Sequence, residues 1–384
     1  MRRSSLLASL ALGLAAIASA PVAMAASDAD VRINQIQVIG SHNSYHAGLT
    51  PGVAKMLQKV NPKAFDGLDY THAPLTAQFD HGIRQIELDI YADTQGGRFA
   101  HPFGATLNEG GAAAFDPQGV MLKPGFKVMH VQDIDYVSNC QPFAGCLREI
   151  RAWSKAHPRH VPIFILVETK TQPPIPGVPN MAAPEAFTAP VLDALDAEIR
   201  SVFPADEMIL PDQVRGRHKT LPEAVAQGGW PTLRSARGKV VFLLDQTNVT
   251  ATYVADHPAL EGRVLFTNAE PGHADAAFVE QNDGTPEAIS ALVKQGYLVR
   301  TRSDSDTKEG RTGDTHLRDA ALRSGAQMVS TDYPWFEPSR WTNYSVSLPN
   351  QAPVRCNPVN AGKSCVDADL ADVAATPAAE AAGR

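Results

Sequence analysis

The stretch RQIELDIY, residues 84–91, alternates polar and apolar side chains from Gln85 to Ile90. Such alternation predicts a β-strand that carries Glu87 and Asp89 on the same face. Two carboxylates on one face of a strand are costly to bury unless they are paired or bind a metal. The stretch therefore predicts both a strand and a candidate site.

Similar apolar runs recur along the chain, with helix-like segments between them. We predict strands at residues 33–40, 84–91, 126–131, 161–167, 240–244, 263–266, 297–301 and 327–331. Most are nearly continuous in Val, Ile, Leu and Phe, which is typical of strands buried on both faces. Eight strands alternating with helices indicate an α/β fold, a distorted (β/α)₈ TIM barrel in a single domain. The alternative is a doubly wound sheet, but its GxGxxG fingerprint and a P-loop are absent from the sequence.

Composition narrows the class of protein. The 384 residues include 34 Lys+Arg and 41 Asp+Glu, for a net charge of −7, and 44% are hydrophobic. This apolar share predicts a packed core, whereas nucleic-acid binding requires clustered Lys and Arg. After the N-terminus no apolar run approaches the roughly 20 residues that span a bilayer. We expect no nucleic-acid partner, no transmembrane segment and nothing beyond a monomer.

Residues 1–25 have the three-part order of a secretory signal peptide. Arg2 and Arg3 precede a short apolar run, and small residues surround the expected cleavage point near Ala25. We therefore predict a secreted or periplasmic protein. An uncleaved N-terminal anchor is the alternative.

We assign residues 30–345 to the barrel domain, residues 346–366 to a C-terminal appendage and residues 367–384 to a disordered tail. An even number of cysteines in an exported chain suggests disulfides, although four cysteines allow three pairings. We favour the two local pairs, Cys140 with Cys146 and Cys356 with Cys365.

Polar residues concentrate where the predicted strands end. In barrel enzymes these carboxyl ends surround one shared mouth, where the chemistry takes place. The candidates at or beside the strand ends are His42, Asn43, Glu87, Asp89, His130, Glu168, Lys170, Arg300 and Tyr333.

The carboxylates among them suggest a metal site. Glu87, Asp89 and Glu168 would repel one another inside a barrel unless a divalent cation neutralised them. An all-oxygen ligand set favours Ca²⁺ or Mg²⁺ over zinc, and Asn43 adds an amide oxygen. Pairing of the carboxylates with nearby basic side chains is the alternative.

His42 and His130 can titrate near neutral pH, so together they can act as a base and an acid. His46 and His101 are competitors for these roles. The sequence has neither a GxSxG elbow nor an HExxH motif, so serine hydrolysis and zinc proteolysis are poor interpretations. Two histidines and a hard cation suit phosphodiester chemistry.

Several segments resemble a known family. They are GSHNSYH (40–46), IELDIYAD (86–93), FKVMHVQDIDY (126–136), ILVETK (165–170), LPEAVAQGGWPTLRSARGKVVFLLD (221–245), VRTRSDSDT (299–307) and SGAQMVSTDYP (324–334). Together they resemble the secreted, calcium-dependent phosphoinositide-specific phospholipase C-like family over roughly residues 33–334. The resemblance implies a distorted TIM barrel and a phosphoric diester hydrolase.

The resemblance also implies roles for individual residues. His42 would act on the inositol 2-hydroxyl, and His130 would be the general acid for the diacylglycerol oxygen. One Ca²⁺, rather than Mg²⁺, would be held by Asn43, Glu87, Asp89 and Glu168.

The remaining candidates would contact the substrate. Lys170 would touch phosphate or inositol, and Arg300 and Tyr333 would bind or stack on the inositol ring. The implied reaction on phosphatidylinositol at a membrane surface yields a cyclic phosphodiester and releases diacylglycerol.

One spacing departs from the family. In the better-known eukaryotic enzymes the second histidine follows the strand carboxylates closely, whereas His130 lies far beyond Asp89 in this sequence. His101 has the shorter spacing. We favour His130 and interpret residues 102–125 as an insertion.

Two other functions stay open. A glycerophosphodiester phosphodiesterase has HRG where this chain has His42-Asn43-Ser44, and a sphingomyelinase of the same barrel type is more remote. A non-catalytic barrel that binds anionic sugars belongs to a different class of protein.

Residues 102–125 and 171–185 form long loops that carry apolar side chains. These side chains are Phe103, Leu107, Phe115, Met121, Leu122, Ile175, Val178 and Met181. They would either contact lipid around the mouth or pack against the barrel.

Overall fold

The computed structural model describes residues 30–371. The predicted signal peptide and residues 372–384 of the predicted tail lie outside the described residues. Helix Asp367–Leu370 begins where the tail is predicted to start, and Leu370 is buried. Regular structure therefore continues into the first residues of that segment.

The strands form one sheet that curls into a barrel. Their bounds are β1 Ile36–Ser41, β2 Gln85–Tyr91, β3 Lys127–Val128, β4 Ile163–Thr169, β5 Val240–Leu244, β6 Phe266–Thr267, β7 Phe278–Glu280, β8 Leu298–Arg302, β9 Met328–Thr331 and β10 Arg355–Cys356. The order β6-β5-β4-β2-β1-β9-β8-β7 is parallel throughout. A parallel bridge from Asn268 to Phe278 brings β6 to β7, so the eight-stranded barrel is nearly closed.

The identity of one barrel strand was predicted wrongly. The segment 126–131 supplies only Lys127–Val128, which pairs antiparallel to the end of β2 outside the parallel barrel. The chain then curls back, because the amides of His130 and Val131 donate to the carbonyl of Asp135. In the barrel β2 pairs directly with β4, and the eighth parallel strand is Phe278–Glu280, between β6 and β8. Three residues are too few for a periodic pattern to reveal.

Helices surround the barrel and fill its connections. Within residues 30–371 the α-helices are α1 Pro51–Val60, α2 Pro62–Gly67, α3 Leu75–Asp80, α4 Gly111–Phe115, α5 Phe143–Ala156, α6 Ala189–Val202, α7 Pro211–Arg215, α8 Leu221–Ala226, α9 Leu233–Ala236, α10 Thr250–Val254, α11 Pro286–Lys294, α12 Lys308–Thr312, α13 His316–Ser324 and α14 Asp367–Leu370. None of the helices described is long and apolar enough to cross a bilayer.

The alternation in β2 sorts its side chains between two environments. The leucine and isoleucines pack in the main hydrophobic core, whereas Gln85 and Glu87 contact polar side chains of the opposite strands β8 and β9. Every residue of β2 is buried. The interior of the barrel is consequently polar at the level where β2 carries its carboxylates.

A second hydrophobic cluster lies under the loops that follow β1, β2 and β4. It includes Met121, with Phe103, Phe115 and Val178 packed against it, and Met181 is also buried. These side chains pack within the protein. The three remaining apolar side chains of the long loops, Leu107, Leu122 and Ile175, are exposed.

Both predicted disulfides are confirmed, Cys140–Cys146 and Cys356–Cys365. The second one staples a C-terminal segment whose strand β10 pairs antiparallel with Ile36 and Gln37 of β1. This segment is therefore attached to the sheet.

Candidate active site

The motif at residues 40–46 turns sharply over the end of β2. Ser44 makes two hydrogen bonds to the backbone of Glu87: its amide donates to the carbonyl at 3.1 Å and its hydroxyl accepts from the amide at 2.8 Å. Asn43 adopts a left-handed conformation with φ of 46°, which asparagine tolerates better than most residues. The turn brings His42 and Asn43 to the mouth, beside the β2 carboxylates.

Three carboxylates converge as the sequence predicts. Each of Glu87, Asp89 and Glu168 offers an oxygen, and these oxygens all lie within 4.8 Å of one another. Burial raises the pKa of Glu87 to about 8 despite the nearby guanidinium of Arg300. Burial, followed by the charge of Asp89, also raises the pKa of Glu168. A divalent cation would remove this repulsion.

Lys170 lies within this cluster. Its Nζ is 2.8 Å from Asp89 Oδ2 and 2.9 Å from Glu168 Oε1. Burial lowers the pKa of Lys170, but the charges of the two carboxylates outweigh it, and the pKa is raised. Asp89 Oδ1 is buried without a hydrogen-bond partner.

Arg300 crosses the barrel interior. Its guanidinium pairs with Glu87 Oε2 at 2.6 Å and Glu280 Oε1 at 2.5 Å, and donates to Asn282 Oδ1 at 2.8 Å. Burial, then a hydrogen bond to Glu280, raises the pKa of Asp245 to about 11. Arg300 is buried and supplies the positive charge that pairs with Glu87 on β2 and Glu280 on β7.

Asn43 is held by two tyrosines. Its amide donates to the hydroxyl of Tyr70 at 2.9 Å, and the hydroxyl of Tyr45 lies 3.4 Å from its Oδ1. Burial and then the charge of Asp89 raise the pKa of Tyr45. The side-chain oxygen of Asn43 therefore lies next to the Tyr45 hydroxyl, which is close enough to Asp89 to be affected by its charge.

His42 is clamped between carboxylates. Nδ1 lies 2.7 Å from Asp332 Oδ1, and Nε2 lies 3.6 Å from Glu87 Oε1. Burial and then the charge of Arg302 lower the pKa of His42 well below its ordinary value. A neutral ring that donates from Nδ1 to Asp332 leaves Nε2 as a proton acceptor.

His130 has a different carboxylate partner. Its Nδ1 is 3.0 Å from Asp135 Oδ2, and the fully buried His46 holds the same carboxylate through Nε2 at 2.9 Å. Burial lowers the pKa of His130, but Asp135 outweighs it, and the pKa is raised. His101 lies exposed on the loop after β2. Both strand-end histidines, in contrast, reach the mouth.

Tyr333 lines a cavity of about 280 Å³ together with Tyr70, Asp332 and Trp341. This cavity adjoins the carboxylate partner of His42. The predicted ring-stacking position of Tyr333 is therefore next to the catalytic candidates, whereas Arg300 lies deeper, among the barrel carboxylates.

The donor set fits a hard divalent cation. The cluster consists of oxygen ligands only, carries more negative than positive charge and contains the unpartnered Oδ1 of Asp89. Among the described residues, Glu87, Asp89 and Glu168 form the one group of acidic, histidine or cysteine side chains whose ligand atoms lie close enough together to hold a metal ion.

Sequence reasoning gave no role to several residues of the site. Asp332 and Asp135 orient the histidines, Arg302 lies beside His42, and Asp245 and Glu280 extend the acidic network. The strand-end rule reaches Arg302 and Asp332, and it would also have found Asp245, which follows β5 directly. Glu280 ends the short strand that the pattern did not reveal.

The family whose model matches most of this chain consists of phospholipase C enzymes, so this (β/α)₈ barrel is a phosphoric diester hydrolase. The model of the family described as "Phosphoinositide phospholipase C, Ca2+-dependent" matches residues 31–358, and the chain belongs to that family. No curated protein matches the chain significantly.

Two solved structures illustrate the likeness. One is a calcium-dependent phosphoinositol-specific phospholipase C from the Gram-negative bacterium Pseudomonas sp., with 14% identity, a TM-score of 0.53, and coverage of 88% of this chain and 99% of that chain. The other is a Ca²⁺-dependent phosphatidylinositol-specific phospholipase C from Streptomyces antibioticus, with 20% identity, a TM-score of 0.49, and coverage of 79% and 95%. At 14% identity, the similarity to the Pseudomonas enzyme shows that the two folds are alike.

Proposed function

We propose that this chain is an exported, calcium-dependent phospholipase C that cleaves the glycerol–phosphate bond of phosphatidylinositol. One observation carries the proposal. Two histidines, each held by its own carboxylate, flank a convergent set of acidic oxygens at the mouth of the barrel. Such a site supplies a base, an acid and a place for a cation.

The two histidines divide the proton transfers. Asp332 orients His42, so Nε2 takes the proton of the inositol 2-hydroxyl. The freed oxygen attacks phosphorus, a new P–O bond forms, and the P–O bond to glycerol breaks. His130, held protonated by Asp135, delivers its proton to the departing diacylglycerol oxygen. A cyclic phosphodiester is the other product, and the intramolecular attack has a low entropic cost.

Asn43, Glu87, Asp89 and Glu168 are the proposed ligands of one Ca²⁺. A bound cation neutralises charge on phosphate oxygens and favours ionisation of the attacking hydroxyl. Lys170 and Tyr333 are proposed substrate contacts. For Arg300 we propose support of Glu87 from behind, because its guanidinium is already occupied by carboxylates.

The lipid surface is the proposed partner of the mouth. Leu107 and Leu122 follow β2 and Ile175 follows β4, and all three are exposed on the side where the strands end. Exposed apolar side chains around a lipid-binding site favour peripheral contact with a bilayer. Export is supported by the two disulfides and by the N-terminal sequence.

The test is ³¹P NMR of the purified protein with phosphatidylinositol vesicles and calcium. We expect a cyclic inositol phosphate resonance that does not form in excess EGTA. Glycerol 3-phosphate from a deacylated substrate would instead indicate the glycerophosphodiester activity. An unchanged spectrum would reject catalysis on this lipid, and turnover in EGTA would reject the calcium requirement.

A further inference from the structure

Lys170 is a predicted substrate contact whose charged atom lies between two members of the carboxylate cluster. Its ammonium contacts an oxygen of Asp89 and an oxygen of Glu168 at 2.8 and 2.9 Å, and its side chain is only 5% exposed. Two of the three converging carboxylates are therefore already neutralised in part by a cation that belongs to the chain.

A divalent ion and this ammonium would use the same two carboxylates. The ammonium contacts Asp89 Oδ2 and Glu168 Oε1, and a charged lysine offers up to three donors but no coordinating atom. Two cations held against the same pair of carboxylates would repel each other strongly. This repulsion opposes binding of the ion while the ammonium keeps the observed position.

The side chain of Lys170 can move while its backbone stays in place. Lys170 follows the last residue of β4, and its amide donates to the carbonyl of Ile90 at 2.9 Å, which anchors the backbone. Its four-carbon side chain can change rotamer without moving the strand. Glu168, which Lys170 contacts, is 18% exposed, so this edge of the cluster borders solvent.

We propose that Lys170 is an internal counter-ion that Ca²⁺ displaces, so that metal binding releases the ammonium toward the mouth and the substrate phosphate. This inference rests on the proposed function, because it concerns regulation of the same site. It accounts both for the observed contacts of Lys170 with Asp89 and Glu168 and for the proposed contact of Lys170 with the substrate phosphate.

The experiment is isothermal titration of Ca²⁺ into the metal-stripped full-length protein at pH 8. We compare the wild type with Lys170→Met, which keeps the length of the side chain and removes its charge. We expect the variant to bind Ca²⁺ about tenfold more tightly or better, because the competing charge is gone. Without calcium its Tm should fall, and the calcium-induced increase in Tm should be larger than in the wild type.

Lys127→Met is the matched control. Lys127 is also fully buried and pairs with one carboxylate, Asp93, at 3.3 Å, on strand β3 beside β2. Its loss should lower Tm and leave the calcium affinity within about twofold of the wild type. Lys170→Arg, which keeps the charge, should bind no more tightly than the wild type.

The outcomes separate the two proposals. A wild type that binds no Ca²⁺ would overturn the proposed metal site itself. A wild type that binds Ca²⁺ together with a Lys170→Met variant of equal or weaker affinity would overturn only the displacement. Tightening in Lys170→Arg as well would point to packing and contradict a role of the charge. If Lys170→Met folds only with calcium, its affinity is measured by competition with a chelator.

Discussion

At the scale of single residues, the mouth places two imidazoles in opposite environments. Burial and the neighbouring Arg302 lower the pKa of His42, whereas Asp135 overcomes burial and raises that of His130. A base must be unprotonated and an acid protonated at the same pH, so divergent environments suit these two roles. The carboxylate partner of each ring also fixes which nitrogen carries the proton.

His42→Ala and His130→Ala should each reduce turnover of phosphatidylinositol by about 10²–10⁴-fold, the usual contribution of a positioned acid or base. The measurement is the initial rate of cyclic inositol phosphate release, with circular dichroism to confirm the fold. His101→Ala is the matched control, since that ring is exposed on a loop. A loss in the control equal to that of His130→Ala would reassign the acid.

At the scale of elements, β1 and β2 meet through a glycine. A Cβ on Gly40 would lie 1.8 Å from Gln85 Oε1 and 2.8 Å from Gln85 Cβ. The Gln85 carbonyl accepts a hydrogen bond from Ser330 at 2.9 Å, so it cannot retreat without losing that partner. The close approach lets the strand that precedes His42 lie against the strand that carries Glu87 and Asp89.

Gly40→Ala should therefore destabilise the protein by about 1–3 kcal/mol, the usual cost of overpacking a filled interior. Urea unfolding monitored by tryptophan fluorescence measures this free energy. Gly67→Ala is the control, because a Cβ there approaches only Asp306, at 3.8 Å or more. Equal stability of the Gly40 variant and the wild type would mean that β1 and β2 can separate without cost.

The loop segment that follows β2 has a buried side and an exposed side. Its inner side chains build the second hydrophobic cluster, and its outer ones, Leu107 and Leu122, remain exposed. The double variant Leu107→Ser/Leu122→Ser should bind phosphatidylinositol vesicles about tenfold more weakly, because it loses apolar area that the bilayer would bury.

Vesicle sedimentation measures this binding, and turnover of a short-chain monomeric substrate should stay unchanged. Leu317→Ser is the control: Leu317 is similarly exposed but lies on the helix between β8 and β9. Equal vesicle binding by the double variant and the control would place the membrane contact elsewhere on the surface.

At the scale of the whole molecule, the C-terminal segment packs against the barrel and extends its sheet. Arg355 donates to Gln37 Oε1 of β1 and to the carbonyl of Leu322, and Leu348 and Val354 are buried. The boundary at residue 345 predicted from the sequence therefore separates two parts that share one sheet.

Truncation after residue 345 should lower the free energy of unfolding by roughly 5 kcal/mol or more, because several buried apolar side chains contribute about 1.5–3 kcal/mol each. Differential scanning calorimetry of the truncated and full chains tests this. The double variant Cys356→Ala/Cys365→Ala keeps the packing and should lose less. A truncated chain of full stability would mean that the segment contributes nothing to the stability of the barrel.

Local features of this protein followed from its sequence. Alternation in residues 84–91 placed Glu87 and Asp89 on one face, because side-chain direction along a strand has a period of two. The strand-end rule located His42 and the third carboxylate, since parallel strands of a barrel share one mouth. His130 was chosen by the same rule, although the segment before it forms an antiparallel strand outside the barrel. These inferences need only neighbouring residues and one global rule.

The pairs of groups that neutralise one another are visible in the tertiary structure alone. His42 pairs with Asp332, Arg300 pairs with Glu87 and Glu280, and the ammonium of Lys170 lies between carboxylates. The structure also puts residues 127–128 outside the barrel and adds Phe278–Glu280 as its eighth strand. Most of these ion pairs join side chains that are adjacent in space but far apart in sequence. A three-residue strand is defined by the strands it is hydrogen-bonded to. A local sequence pattern therefore predicts neither feature.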